Sequence, residues 1–153
     1  MTNIIDLKAQ GFRFTFRAGS GWNWRHPAEV QSSDIDATDM KDEELAALAK
    51  NLEAFTAVPV EFRDYPLRDL PEMPESFEDA SWHNDACPCI DSRTLGLRVW
   101  IDYPDKGDRE LPELCRFAVQ AIDPEGESVD GPDLLNTEDW ADVLALISER
   151  KAP

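Results

Sequence analysis

The chain has 153 residues, a length that fits one domain, or one domain with a long appended segment. Its 32 Asp and Glu against 15 Lys and Arg give a formal net charge of −17 at pH 7, a balance that argues against direct binding of nucleic acid or of an anionic membrane. Hydrophobic residues make up 42% and include five Trp, which excludes wholesale disorder and allows a real core.

Met1 to Asp6 lacks the basic start and apolar run of a secretory signal, and no apolar stretch approaches the roughly 20 residues that cross a bilayer. Residues 149–153 carry no lipidation signal. The three cysteines, Cys87, Cys89 and Cys115, cannot all pair within one chain, so reduced thiols and a cytoplasmic location are the expectation. The charge is uneven. Residues 1–30 set Lys8, Arg13, Arg17 and Arg25 against Asp6 and Glu29, a net of +2, which leaves −19 on residues 31–153. These acids are interleaved with core-type residues, which places them on a folded surface and not in a tail.

In chain order, Phe12 to Arg17 alternates strictly, with three Phe on one strand face and Arg13, Thr15 and Arg17 on the other. Ile4 to Leu7 reads as its partner or continuation. Residues 18–21 form a turn, and Trp22 to Pro27 resumes as a short extended piece. A helix capped by Thr38 or Asp39 follows, with Asp42, Glu43 and Glu44 at the positive end of its dipole and Leu45, Leu48, Ala49, Leu52 and Phe55 as its apolar stripe. Pro59 stops it, and Val58 to Phe62 reads as a short edge strand, where proline is tolerated.

Residues 64–94, broken by Pro66, Pro71, Pro74 and Pro88, read as a long irregular acidic connection with one helical turn near Glu75 to Ala80. A hairpin comes next. Leu97, Val99, Ile101 and Tyr103 face inward on one strand, residues 104–108 turn, and Cys115 to Ile122 returns. Asp123 to Gly126 is a second turn, with a short strand near Glu127 to Val129. Asn136 or Thr137 caps a final helix whose first turn holds Glu138 and Asp139, with Trp140, Val143, Leu144 and Ile147 buried and Arg150 and Lys151 at its negative end. The sum is a single α+β domain, a mostly antiparallel sheet of about four to six strands packed with two amphipathic helices.

Three local segments invite chemistry. His83, Cys87 and Cys89 are metal-ligand types, with Cys115, His26 or Asp85 as a fourth. One residue between the two cysteines is too few for a zinc knuckle, and Pro88 favours an extended backbone that parts them. No metal or other cofactor is therefore expected, and a thiol nucleophile at Cys87 with His83 as base lacks a recognisable orienting residue. Gly19-Ser20-Gly21 lacks the Lys-Ser/Thr ending and the following helix of a phosphate loop. Arg13, Arg17 and Arg25 beside Trp22 and Trp24 make a basic–aromatic patch, more simply read as pairing with the chain's own acids.

The surplus acid is the strongest lead. Carboxylates fixed on helices and a rigid loop can imitate the charge row of a nucleic acid and occupy a basic groove. The expected carriers are Asp39, Asp42, Glu43 and Glu44 on the first helix and Asp64, Asp69, Glu72, Glu75, Glu78 and Asp79 in the connection, extended by Glu138, Asp139 and Asp142. Trp22, Trp24, Trp82 and Trp100 are the expected aromatic anchors. The reading is a non-enzymatic inhibitor of a basic, nucleic-acid-handling protein, in the functional class of immunity proteins and of phage anti-CRISPR or anti-restriction proteins, although no motif here matches either. The alternatives are a small metal- or thiol-dependent protein centred on His83, Cys87 and Cys89, and an assembly module with no inhibitory role.

Overall fold

The computed structural model describes residues 4–17, 19–31, 34–62 and 64–151, with Ile4 and Ile5 by backbone alone. The chain folds in the α+β class and divides into two compact units, residues 1–47 and residues 48–153. Eight strands among the described residues form two antiparallel sheets, of three and five strands, where the sequence suggests four to six strands in one.

In the first unit, Ile4–Ala9 is a helix, α1, and not a strand. Gly11, with φ +83°, explains the stop. Its N–H reaches the Lys8 carbonyl at 3.0 Å and the Phe12 N–H reaches the Leu7 carbonyl at 3.0 Å, the paired bonds that close a helix through a left-handed glycine. A four-residue apolar run fits either period, and this closure decides for the helix. Strands β1 (Arg13–Arg17) and β2 (Gly21–Arg25) then pair as the alternation requires, with Phe14 opposite Trp24 and Phe16 opposite Trp22. Ala18, in the expected turn, lies outside the described residues. A two-residue strand, β3 (Ile35–Asp36), adds to the other edge of β1. The aromatic rings share one face, with centroids 4.9–5.3 Å apart. On the opposite face Arg13 pairs with Asp36 at 2.9 Å, and Arg17 and Arg25 both reach Asp34.

Helix α2 (Asp42–Ala54) crosses the division between the units. It begins later than a cap at Thr38 or Asp39 requires. Thr38 is occupied elsewhere, its Oγ1 accepting the Phe14 N–H at 2.9 Å. Glu44 instead reaches back to the Lys41 N–H at 2.9 Å, one half of a capping box. Leu48 and Phe55 of the expected stripe are buried, together with Asn51, whose Nδ2 donates to the Leu70 carbonyl at 2.8 Å.

In the second unit, Val58–Glu61 is a helical turn, α3, where an edge strand was the expectation. Asp79 accounts for it: one carboxylate oxygen accepts the backbone N–H groups of Ala57 at 2.6 Å and Val58 at 3.4 Å, and Pro59 sits in the first turn, where its missing N–H costs nothing. Residues 64–94 are more regular than expected. They hold a 3-10 turn at Leu67–Asp69 and two strands, β4 (Glu78–Asp79) and β5 (Cys89–Ser92), so the helical turn expected near Glu75 to Ala80 is in fact partly strand.

With β6 (Leu97–Ile101), β7 (Phe117–Ala121) and β8 (Leu135–Thr137), these strands make a meander in the order β4-β5-β6-β7-β8. The β6–β7 hairpin falls as read, with Val99 opposite Val119 and Leu97, Val99 and Ile101 buried. Tyr103 and Cys115 lie beyond the strand ends. Near Glu127 to Val129 there is one isolated bridge, Ile122 to Ser128. Helix α4 (Trp140–Lys151) lies on β7 and β8 and buries Val143 and Ile147, with the Trp140 ring 5.1 Å from Phe117. Its cap is Asp139, which accepts the Ala141 N–H at 2.9 Å, and Leu144 is 41% exposed where burial was expected.

One residue fixes the long connection between β6 and β7. The Arg109 side chain is 1% exposed. Its guanidinium donates to the carbonyls of Tyr103 at 2.7 Å, Leu114 at 2.8 Å and Pro104 at 3.3 Å, and to both carboxylate oxygens of Glu138 at 2.9 and 3.0 Å. Glu138 stands between β8 and α4, so this fork ties the connection to the end of the sheet. Replacing Arg109 by Met keeps most of the volume and strands three carbonyls. We expect a loss of about 1–3 kcal/mol, read from the urea midpoint at unchanged slope.

Candidate partner-binding surface

The two units share the charge unequally. Residues 1–47 hold five basic and eight acidic residues, a net of −3, and residues 48–153 hold ten and 24, a net of −14. In the first unit Asp39, Asp42, Glu43 and Glu44 are exposed around the start of α2. In the second unit, most of the acids expected to act together have cations of their own. Glu72 pairs with Lys50, Asp69 with Arg68, Glu75 with Lys151 and Glu78 with Arg93. Asp79 serves the backbone of Ala57, Val58 and Ser81, and Asp64 is exposed. These internal pairs partly cancel the field of residues 64–79.

Two regions that sequence reasoning passed over or touched lightly show less such cancellation among the described residues, where Glu138 with Arg109 and Lys106 is their one ion-paired acid. Residues 123–142 contain eight Asp and Glu and no Lys or Arg. They run from the end of β7 through β8 into the first turn of α4, and Glu125, Glu127 and Asp130 are exposed along them. Asp123 and Asp133 organise this segment: Asp123 accepts the Glu125 and Glu127 N–H groups at 3.0 and 2.9 Å, and Asp133 accepts Gln120 at 2.9 Å and Asn136 at 3.0 Å. The signal in the sequence is a 20-residue window without a base.

The second region is a cleft of about 430 Å³ on the face of the five-stranded sheet opposite the Val99 and Val119 side chains. Trp100 and Ala118, cross-strand partners, lie on its floor with Gln120, which accepts the Trp100 indole N–H at 2.9 Å. The connection held by Arg109 supplies Leu111 and Leu114, 49% and 50% exposed. Asp85, Asp102, Glu110 and Asp133 also line it. Burial pushes the Asp102 carboxyl above its ordinary value.

Of the expected anchors, Trp22 and Trp24 belong to the aromatic face of the first unit's sheet, Trp100 to this cleft, and Trp82 is 55% exposed with its ring 4.6 Å from His83. His83 Nδ1 lies 3.2 Å from a Glu61 carboxylate oxygen. Cys87 and Cys89 are buried, and desolvation raises both thiols, Cys89 to about 12, so neither is a ready thiolate. Among the described residues no cluster of three His, Cys, Asp or Glu is placed to hold a metal ion, and no helix is long and apolar enough to cross a membrane. Comparison with protein-family models, curated proteins and solved structures finds no match for this chain.

Two consequences follow in solution. The Arg109 and Lys106 side chains hold the Glu138 carboxyl down at about 2. A carboxylate lowered on folding stabilises the fold above its unfolded value, about 4.3, and that contribution disappears as the pH falls toward 2. Glu138→Gln is therefore less stable than the parent at pH 7, and the gap between them narrows as thermal unfolding is followed from pH 5 to pH 2. A thiol-reactive dye at pH 8 should label Cys115, which is half-buried, while Cys87 and Cys89 react only in denaturant; fast labelling of all three in the native protein would contradict the burial described.

Proposed function

We propose that the protein is a non-enzymatic inhibitor that occupies the basic groove of a nucleic-acid-handling partner. The observation that carries this reading is the run of eight acids and no base over residues 123–142, of which only Glu138 is ion-paired among the described residues, in the unit that holds −14 of the −17 net charges. B-DNA presents one negative charge per roughly 1.7 Å of axis, so a groove built for it attracts any ordered row of carboxylates. The Asp123 carboxylate holds the backbone of the first turn of this stretch through the Glu125 and Glu127 N–H groups, which spares the complex part of the ordering cost a flexible acidic tail would meet on binding. Charge of one sign speeds the encounter, and exposed apolar side chains such as Trp82 hold the complex once formed. Immunity proteins against nuclease toxins and DNA-mimicking anti-restriction or anti-CRISPR proteins are the functional classes this mechanism describes. The thiol-dependent alternative is weaker, because burial keeps Cys87 and Cys89 protonated at neutral pH.

The full chain used as bait should recover a strongly basic protein, and adding the chain should displace that protein from duplex DNA or RNA with one-to-one stoichiometry. Replacing Glu125, Glu127 and Asp130 together by Lys should weaken the complex more than about ten-fold. A partner that holds nucleic acid and this protein simultaneously would contradict groove occupation.

A further inference from the structure

We infer that the cleft over Trp100 and Ala118 receives a segment of the basic partner in which an Arg or Lys adjoins an apolar residue. The inference rests on the proposed function and assigns the point of contact. The cleft offers two chemistries side by side. Its floor is an indole ring and a methyl group, and Leu111 and Leu114 stand half-exposed on one turn, where the Leu114 N–H reaches the Leu111 carbonyl at 3.0 Å. Around them are the carboxylates of Asp85, Asp102, Glu110 and Asp133, none of which is in an ion pair among the described residues.

Other acids of this unit are treated differently. Asp91 accepts both arms of Arg98 at 2.8 and 2.7 Å, and Glu138 accepts both arms of Arg109. The one cation lining the cleft, Arg116, donates to the carbonyls of Asp69 at 2.7 Å and Asp102 at 3.4 Å and lies over the Phe117 ring. Its guanidinium is thus held by backbone, and the cleft keeps four carboxylates against one base.

A long cationic side chain is built to fit such a place, with an apolar stem for the floor and a charged head for the rim. An apolar neighbour on the same segment would cover Leu111 and Leu114, which a lone small cation leaves in water. The occupant is therefore a peptide segment and not a polyamine.

The test uses the full chain, a labelled peptide repeating Arg-Leu-Ser, and fluorescence anisotropy at 150 mM salt, where the screening length is about 8 Å and distant charges contribute little. The double variant Asp85→Asn, Glu110→Gln should weaken binding about three- to ten-fold, and Leu111→Ala with Leu114→Ala by a similar factor. Glu53→Gln with Glu149→Gln removes as much charge from exposed positions outside the cleft and should change binding less than about two-fold. Circular dichroism confirms that each variant folds, and the exposed leucines give a second route should the charge variant fail. A peptide repeating Arg-Ser-Ser should bind more weakly than the Arg-Leu-Ser peptide.

Equal loss from the Glu53 and Glu149 variant would overturn the inference, since net charge alone would then be read. Spermine that displaces the peptide with equal affinity from the parent and from the leucine variant would overturn it in favour of a small-cation site. A chain that ignores the peptide yet still captures a basic partner would overturn the cleft and leave the proposed function standing. A chain that binds neither would end both.

Discussion

A buried guanidinium in an acidic protein is the constraint from which the second unit's surface follows. Arg109 is removed from water at a cost of several kcal/mol for its charge, and three carbonyls and a bidentate carboxylate offset that cost. The geometry is demanding, because the planar fork must find all its acceptors around its edge, close to its own plane. Once it is satisfied, the connection between β6 and β7 is tied at Tyr103, Pro104 and Leu114, although its regular structure is only a 3-10 turn at Lys106–Asp108. Glu110, Leu111 and Leu114, which wall the cleft, are set by a residue that does not itself line it.

The same logic explains where the acid is free to act. The second unit has ten bases, and several of them are committed to the fold: Arg109 to Glu138, Arg98 to Asp91 and the Gly126 carbonyl, Arg116 to backbone carbonyls. Lys50, Arg68, Arg93 and Lys151 stand near carboxylates of the 64–79 region. Among the described residues, the acids of 123–142 other than Glu138 and the four lining the cleft stand outside these ion pairs. Surface pairs contribute little to stability, about 0–1 kcal/mol each, yet they shape the potential that an approaching partner meets. The distribution of bases, more than the total of acids, therefore defines the recognition surface.

The parts of the fold with a clear period were legible in the sequence. The alternation at Phe12 to Arg17, the centre of the hairpin around Val99 and Val119 and the bodies of the two long helices stand where the pattern puts them, while both helices begin about three residues later than their expected caps allow. Short elements were less so, and some depend on a partner distant in sequence. Val58–Glu61 is helical through Asp79, some 20 residues on, which no local propensity reveals. Strand β5 reads poorly because Asp91 and Ser92 are polar, and both are buried; Asp91 tolerates this through Arg98 on the adjacent strand. For the surface, the sign and size of the charge were plain, but the internal pairs that remove the 64–79 acids from the account, and the cleft assembled from β6, β7 and the connection between them, exist only in three dimensions.

Electrostatic recognition has a kinetic signature that shape-driven recognition lacks. Charge accelerates the approach of two proteins and is screened by salt, whereas the contacts that hold a formed complex are much less so. The decisive measurement is the association rate constant for the captured partner, followed by stopped-flow fluorescence from 50 mM to 500 mM salt. The account requires a fall of more than about ten-fold across that range with the dissociation rate changed only a few-fold. An association rate that stays flat, however tight the complex, would contradict it.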